Sequence, residues 1–434
     1  MALRPRNERV HWEAAAALAL TCLALYLGRP LVSAALRFPD SLAYIDWPAD
    51  FVLAGPQRVM GARPLGYALL LDVFGTGVTL VWAQTVLSFA AWSTLGWLAG
   101  RLTGVALGCL LALVPSVWCW NSSVLSESFS LSMLALALAA SLHLSQRAFA
   151  GRAPSWARLL GWALCLAFFG WSRDANLILV PALLLPALYL PLRQRVAVLA
   201  VAVLVLAVGA FDARRNERAD WSLNNAILAR VLPDPAAVAR FAAAGMPVPA
   251  KLSEVAGSPG SRTQRRLRAT EARFFEWTER HGAREYWSWV LARPSSYVEA
   301  WRALERYYER DLAKYSHGLT PPRATRTAGA WMAFGPGPWA TLLLPWLLLP
   351  AWRRDRRIRP ELAAALLSSA VALVYAFLTY HADGVEMHRH MLLGIALQRA
   401  AFWIGVGVLV STLCALLRAR TARAPSQRDR GVRG

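Results

Sequence analysis

Lysine is almost missing from this chain: only Lys251 and Lys314 occur among 47 basic residues in 434. Acidic residues are also scarce, and 26 of them leave a formal net charge of +21. Such a surplus invites a nucleic-acid reading, but its distribution excludes one. The arginines gather at the ends of apolar runs and form no single basic face. The Ala, Leu and Arg bias is that of a GC-rich coding sequence, so arginine number alone carries no functional meaning. Cysteine is sparse too. Cys22, Cys109, Cys119, Cys165 and Cys414 lie in or beside apolar runs, without pair spacing or a His partner. That excludes a disulfide framework and a zinc module. A phosphate loop ending in Lys and Ser/Thr is absent, as are HExxH and GxSxG, so nucleotide coupling and the common hydrolase chemistries lack their residues. There is no internal repeat and no long low-complexity tract.

What is abundant is apolar sequence. The chain is 56% hydrophobic, with 20 Trp and a mean hydropathy of +0.36. Apolar runs of about 17–25 residues mark transmembrane helices. Candidate spans run over 10–28, 76–99, 104–120, 127–145, 158–172, 176–191, 195–211, 336–352, 361–380 and 391–417. Pro115, Pro181, Pro186 and Pro345 fall inside them, which membrane helices tolerate. The basic start followed by an apolar stretch has no clear small-residue cleavage site after it, which favours an uncleaved first helix.

The pattern predicts an all-α polytopic membrane protein with about ten transmembrane helices, interfacial helices in the first outer loop, and a mainly helical outer segment between spans seven and eight. The expected division is an N-terminal membrane module over 1–211 with its first outer loop at 29–75, a helical outer segment over 212–335, C-terminal transmembrane helices over 336–417, and a basic tail over 418–434. With the N-terminus inside, the short inner segments hold about 20 basic residues and the short outer ones about six, which fixes the orientation by the positive-inside rule. Both termini are then cytoplasmic. The outer segment carries about +8 over 213–330, suited to anionic headgroups, an anionic substrate or a solvated helical face.

Under that orientation the polar residues collect on one side. The stretches 37-RFPDSLAYIDWPADF-51, 121-NSSVLSES-128, 172-SRDAN-176 and 381-HADGVEMHRH-390 all face outward. Asp40 reads either as a helix N-cap or as a general base for an acceptor hydroxyl or amine. Asp46 and Asp50 are weaker versions of the same pair of readings. Glu127 opens a span, where it suits the helix dipole or requires a polar partner. Arg173 beside Asp174 is a neutralising neighbour pair or a phosphate holder. Arg399 lies well inside the last apolar run, about 15 Å along the helix from Arg389. It must snorkel or meet an anion such as a lipid phosphate. Asp383, Glu386, His388, Arg389 and His390 read as a helix-stabilising cluster or as ligands for a divalent metal, although their spacing is no ligand motif. No metal or other cofactor is established. The piece 63-RPLGYALLLDVFG-75 opens on Arg-Pro and is too short to span, so a helix in the interface is expected, with Tyr44, Trp47 and Tyr67 at the headgroup level.

In order along the chain, 39-PDSLAY-44, 63-RPLGYALLL-71, 126-SESFSLSMLALAL-138, 171-WSRDANLILVPALLL-185 and 383-DGVEMHRHMLLGIALQR-399 resemble bacterial integral-membrane glycosyltransferases of the GT-C fold. These are relatives of protein O-mannosyltransferases and of the enzymes that put aminoarabinose on lipid A. The resemblance implies a sugar donor carried on polyprenyl phosphate, an inner-membrane location and an active face toward the periplasm or exterior. It implies a general base at Asp40, with Glu127 and Asp46 as further catalytic candidates. The donor phosphate would be held by Arg63, Arg173, Arg389, His390 and Arg399. Tyr44, Trp47, Tyr67, Asp383 and Glu386 would contact sugar or acceptor, which is a glycan, lipid or protein. The family often places a second carboxylate beside its catalytic Asp, whereas Ser41 stands here. A lipid-linked oligosaccharide polymerase or ligase shares this donor and outer site. A transporter or flippase would call for inverted repeats and charges near the membrane midplane.

Overall fold

The computed structural model describes residues 6–28, 35–37, 41, 64–113, 117, 119–215, 218–309, 338–354, 358–382 and 387–423. Among them secondary structure is helical, apart from one isolated bridge between Leu36 and Ser123. Helix α1 spans Arg6–Gly28, α2 Leu65–Phe74, α3 Val78–Ala112, α4 Ser126–Phe149 and α5 Trp156–Gly170. A 3-10 run over Asp174–Leu188 follows, and then α6 over Leu192–Arg215. The segment expected to lie outside holds α7 Arg218–Ala226, α8 Pro235–Ala243, α9 Ala250–Glu254, α10 Ser261–Thr270, α11 Ala272–Trp277, α12 Ala283–Leu291 and α13 Pro294–Glu309. Then come α14 Pro338–Leu347, α15 Leu349–Arg354, α16 Arg359–Ala382 and α17 Met387–Arg423.

Among the described residues, five helical stretches are long and apolar enough to cross a membrane: Val78–Arg101, Ser126–Phe149, Leu192–Arg214, Arg359–Ala382 and Arg389–Cys414. Trp12–Leu25, Trp156–Gly170, Asp174–Leu188 and Leu342–Arg353 are apolar but shorter. Leu65–Phe74 is the short apolar helix expected after Arg63-Pro64.

Two local departures from plain α-helix have clear causes. In α3, Gly100 and Arg101 leave helical geometry, and Arg101 takes φ 55. The chain reverses there. A Cβ on Gly96 would strike the Gly104 backbone, and one on Gly108 would strike that of Trp92. Residues 96 and 104, then 92 and 108, therefore face each other across an antiparallel hairpin. Glycine every fourth residue is what lets two helices touch backbone to backbone. The second departure is the 3-10 run, which carries Pro181 and Pro186. Each proline removes an N–H and clashes with the carbonyl four residues back. At about 2.0 Å per residue the 15-residue run extends about 30 Å, the thickness of a bilayer's hydrocarbon core.

The main core joins α1–α6 and the 3-10 run to α16 and α17, through residues such as Phe89, Trp92, Trp120, Leu134, Trp162, Leu183, Tyr375 and Leu397. A second core belongs to the outer segment and is built from Ile227, Phe241, Phe274, Trp277, Tyr286 and Trp289. The outer segment rests on the end of α16. Tyr286 donates its hydroxyl to the His381 carbonyl at 2.8 Å, and the Arg230 guanidinium lies 3.8 Å from the Tyr380 ring centroid. Tyr297 stacks on Phe377 at 4.7 Å.

Candidate functional site

Described residues of the polar stretches expected to face outward meet at the first turn of α4. Helix α4 starts after Leu125, which is extended, and Glu127 is the acidic residue of its first turn. That position suits the dipole. Two arginines from distant sequence meet Glu127 there. Arg173, also extended, stands between α5 and the 3-10 run and donates from Nη1 to Glu127 Oε1 at 2.6 Å. Arg389, in the first turn of α17, donates from Nε to the same oxygen. Glu127 is fully buried, and no described residue bonds its Oε2. The Arg389 side chain is 6% exposed and that of Arg173 is 11% exposed.

At this contact two guanidinium groups face one carboxylate. A cation in a helix's first turn is also unfavourable by roughly 0.3–1 kcal/mol, and Arg389 occupies one. The contact brings the N-terminal ends of α4 and α17 together, so two positive helix ends meet two arginines. Such a junction favours an anion.

A buried polar network holds the junction in place. Leu36 N donates to Ser122 O at 2.6 Å, and Val124 N donates to Leu36 O at 3.0 Å. Ser41 Oγ donates to Val124 O at 2.9 Å. The first outer loop is thereby tied to the chain leading into Glu127. Gln84 Nε2 donates to Asn121 O and Ser123 O, and Tyr67 donates to Gln84 Oε1. Ser128 Oγ donates to Asn121 Oδ1, and Asn176 Nδ2 ties Ser130 and Ser172 to the Phe169 carbonyl. From the other side Tyr375 donates to His390 O at 2.8 Å, fixing the start of α17.

Of the residues expected at a site, Glu127, Arg173 and Arg389 are brought into contact, and half-buried His390 is the neighbour of Arg389. Arg399 is not part of this contact. It lies ten residues further along α17 and is 5% exposed, so it is buried and does not snorkel to a surface. Tyr67 corrects an expectation. It is fully buried, with its ring 6.3 Å from Phe129, so it has no face at the headgroup level. The reason is Gly66, whose backbone N–H bonds Trp171 O and draws α2 against α5. Asp40, Tyr44, Asp46, Trp47, Arg63, Asp383 and Glu386 lie outside the described residues. Among the described residues no three His, Cys, Asp or Glu side chains group as metal ligands.

Gln84 and Tyr375 carry no signal in the sequence, whereas Asn121 and the first serines of α4 lie in the polar stretch 121-NSSVLSES-128. The alternation 126-SESFSLS-132 was a visible signal, because four serines in one apolar helix require partners. A separate groove of about 130 Å³ lies between the α3 hairpin and α17, lined by Trp92, Gly96, Gly104, Trp403 and Gly407. It offers hydrocarbon contacts and no ionisable side chain. Comparison of the chain with protein-family models, curated proteins and solved structures gives no match.

Proposed function

We propose that this is a glycosyltransferase of the cytoplasmic membrane, moving a sugar from a polyprenyl-phosphate donor to an acceptor on the outer face. The observation that carries the reading is the junction of Glu127, Arg173 and Arg389, where two cations and two helix N-termini surround one carboxylate. A donor of this class leaves as a lipid phosphate, so negative charge develops where the membrane meets water. Fixed guanidinium groups stabilise such charge best where water is scarce. The arginine at 173, still partly exposed, is the group that reaches the departing phosphate.

In this reading the chain crosses the membrane about ten times, and both termini face the cytoplasm. The five long apolar helices support it, as does the 3-10 run, whose extended rise compensates for its few residues. The resemblance assigns the general base to Asp40. Asp40 takes the proton from the acceptor, the acceptor attacks the anomeric carbon, and the carbon–oxygen bond to phosphate breaks with inversion. Ser41, the next residue, is anchored three positions before Glu127 through the Val124 carbonyl, which ties this loop to the arginine junction. The contact of Glu127, Arg173 and Arg389 at one end of the bundle supports group transfer at a face.

The test is incubation of the purified full chain in lipid nanodiscs with polyprenyl-phosphate sugars, following donor consumption. Asp40→Asn is expected to abolish transfer and leave donor binding in place. Arg173→Gln is expected to weaken transfer by about 10²-fold or more, the size of losing one donor to a developing oxyanion. Consumption that is insensitive to both substitutions overturns the reading.

A further inference from the structure

Glu127 has the wrong surroundings for a proton carrier. It is fully buried, and one oxygen takes both arginines. A general base must lie within hydrogen-bond reach of the proton it removes. Among the described residues, the side chains that bond its carboxylate are guanidinium groups, which surrender no proton under physiological conditions. The geometry instead resembles a clamp. Glu127 belongs to α4, whose most apolar stretch is 83% buried, the highest share among the five long helices. Its two partners come from chain segments 46 and 262 residues away. Arg173 stands at a break between two helices, and Arg389 stands in the first turn after residues 383–386.

One further detail separates a clamp from a purely structural ion pair. A carboxylate and a guanidinium usually pair through two parallel bonds. Here Arg173 uses a single N–H on Oε1, the oxygen that Arg389 Nε also bonds, and Oε2 bonds no described residue. Such single-point bonding leaves donors of Arg173 uncommitted, and its side chain keeps an 11% exposed edge. A clamp built this way fixes where the cation stands without consuming its capacity to bind an anion.

We infer that Glu127 is a positioning residue, whose carboxylate holds Arg173 and Arg389 beside each other for a phosphate headgroup and itself moves no proton. This rests on the donor-phosphate reading above. It departs from the catalytic role expected for Glu127 from sequence.

The probe is a polyprenyl phosphate added to the full chain in nanodiscs, with unphosphorylated polyprenol and inorganic phosphate as separate arms. Binding of polyprenyl phosphate but not of the alcohol assigns recognition to the phosphate, and competition by inorganic phosphate shows that the headgroup alone is read. Glu127→Gln keeps the side chain's shape and is expected to weaken binding about tenfold or more, on the scale of one charge-assisted contact. Glu127→Asp restores most of that loss. In an Arg173→Gln, Arg389→Gln background, Glu127→Gln causes no further loss, because the group it acts through is gone. Where Glu127→Gln alone does not fold to a monodisperse species, Glu127→Asp and the triple variant carry the same comparison. Wild-type binding by Glu127→Gln overturns the inference and leaves the donor reading standing. So does a full additional loss in the arginine-free background. A wild-type chain that does not bind polyprenyl phosphate overturns both.

Discussion

The membrane bundle and the outer segment bury different mixtures. The bundle core sets rings such as Trp120 and Trp162 among many Leu and Ala, and buried serines beside it bond helix backbones: Ser141 Oγ to Ala137 O, Ser145 Oγ to Ser141 O, Ser132 Oγ to Ser128 O. The outer segment packs large rings, with Phe241 edge-on to Trp289 at 5.9 Å and Tyr286 tilted 5.8 Å from Trp289. Water drives the second kind of core, because each ring removed from solvent contributes a large apolar area. Lipid does not drive the first, since hydrocarbon outside is as apolar as hydrocarbon inside, and close backbone approach with hydrogen bonds does more of the work. Burial of the Tyr286 ring also pushes its phenol above the usual tyrosine range, and its hydroxyl then serves as a donor to the His381 carbonyl.

The contrast can be broken by substitution. Trp289→Ala should destabilise the outer segment by about 3–5 kcal/mol, the cost of emptying an aromatic core site. Proteolysis within 218–309 would rise while the bundle's thermal transition stays. Gly104→Leu should cost the bundle about 1–3 kcal/mol by overpacking, because the added atoms meet the Gly96 backbone and not a side chain that can turn away. Thermal unfolding in detergent reads this, and the outer segment's protease sensitivity should stay the same. Tyr286→Phe removes one bond at the seam between the regions and should cost about 1 kcal/mol, seen as earlier loss of outer-segment helicity on heating. Val203→Ala on α6 should change bundle stability by less than about 0.5 kcal/mol, because Val203 is 64% exposed. A loss as large as that of Trp289→Ala would show that α6 packs on something more than lipid.

Much of the helix pattern was legible along the chain. The expected runs at 127–145, 195–211 and 361–380 lie within α4, α6 and α16, and 391–417 lies within α17. Runs 76–99 and 104–120 became the two arms of α3, with the second arm ending at Ala112, short of its expected limit. Hydrophobic periodicity locates helices but does not say which way an apolar helix faces. Helices α4 and α6 are both strongly apolar, yet their most apolar stretches are 83% and 28% buried. Composition cannot separate them, because lipid and protein interior accept the same side chains. The 3-10 geometry of Asp174–Leu188 was likewise hidden, although its two prolines were in view.

The candidate site divides in the same way. Charge asymmetry led to the expectation that Glu127, Arg173 and Arg389 share one face. That they share one carboxylate oxygen did not follow from it, since the contacts link residues 46 and 262 positions apart and local spacing carries no such information. Tyr67 reads as interfacial from its short apolar helix, but packing against Phe129 and Gln84 takes it inside. By itself the sequence determined that apolar helices form and that charge gathers at one end of them, because both depend on local composition against solvent. Only the tertiary structure decided which helix is central and which cation meets which anion. Those outcomes depend on shape complementarity between segments that are remote in the chain.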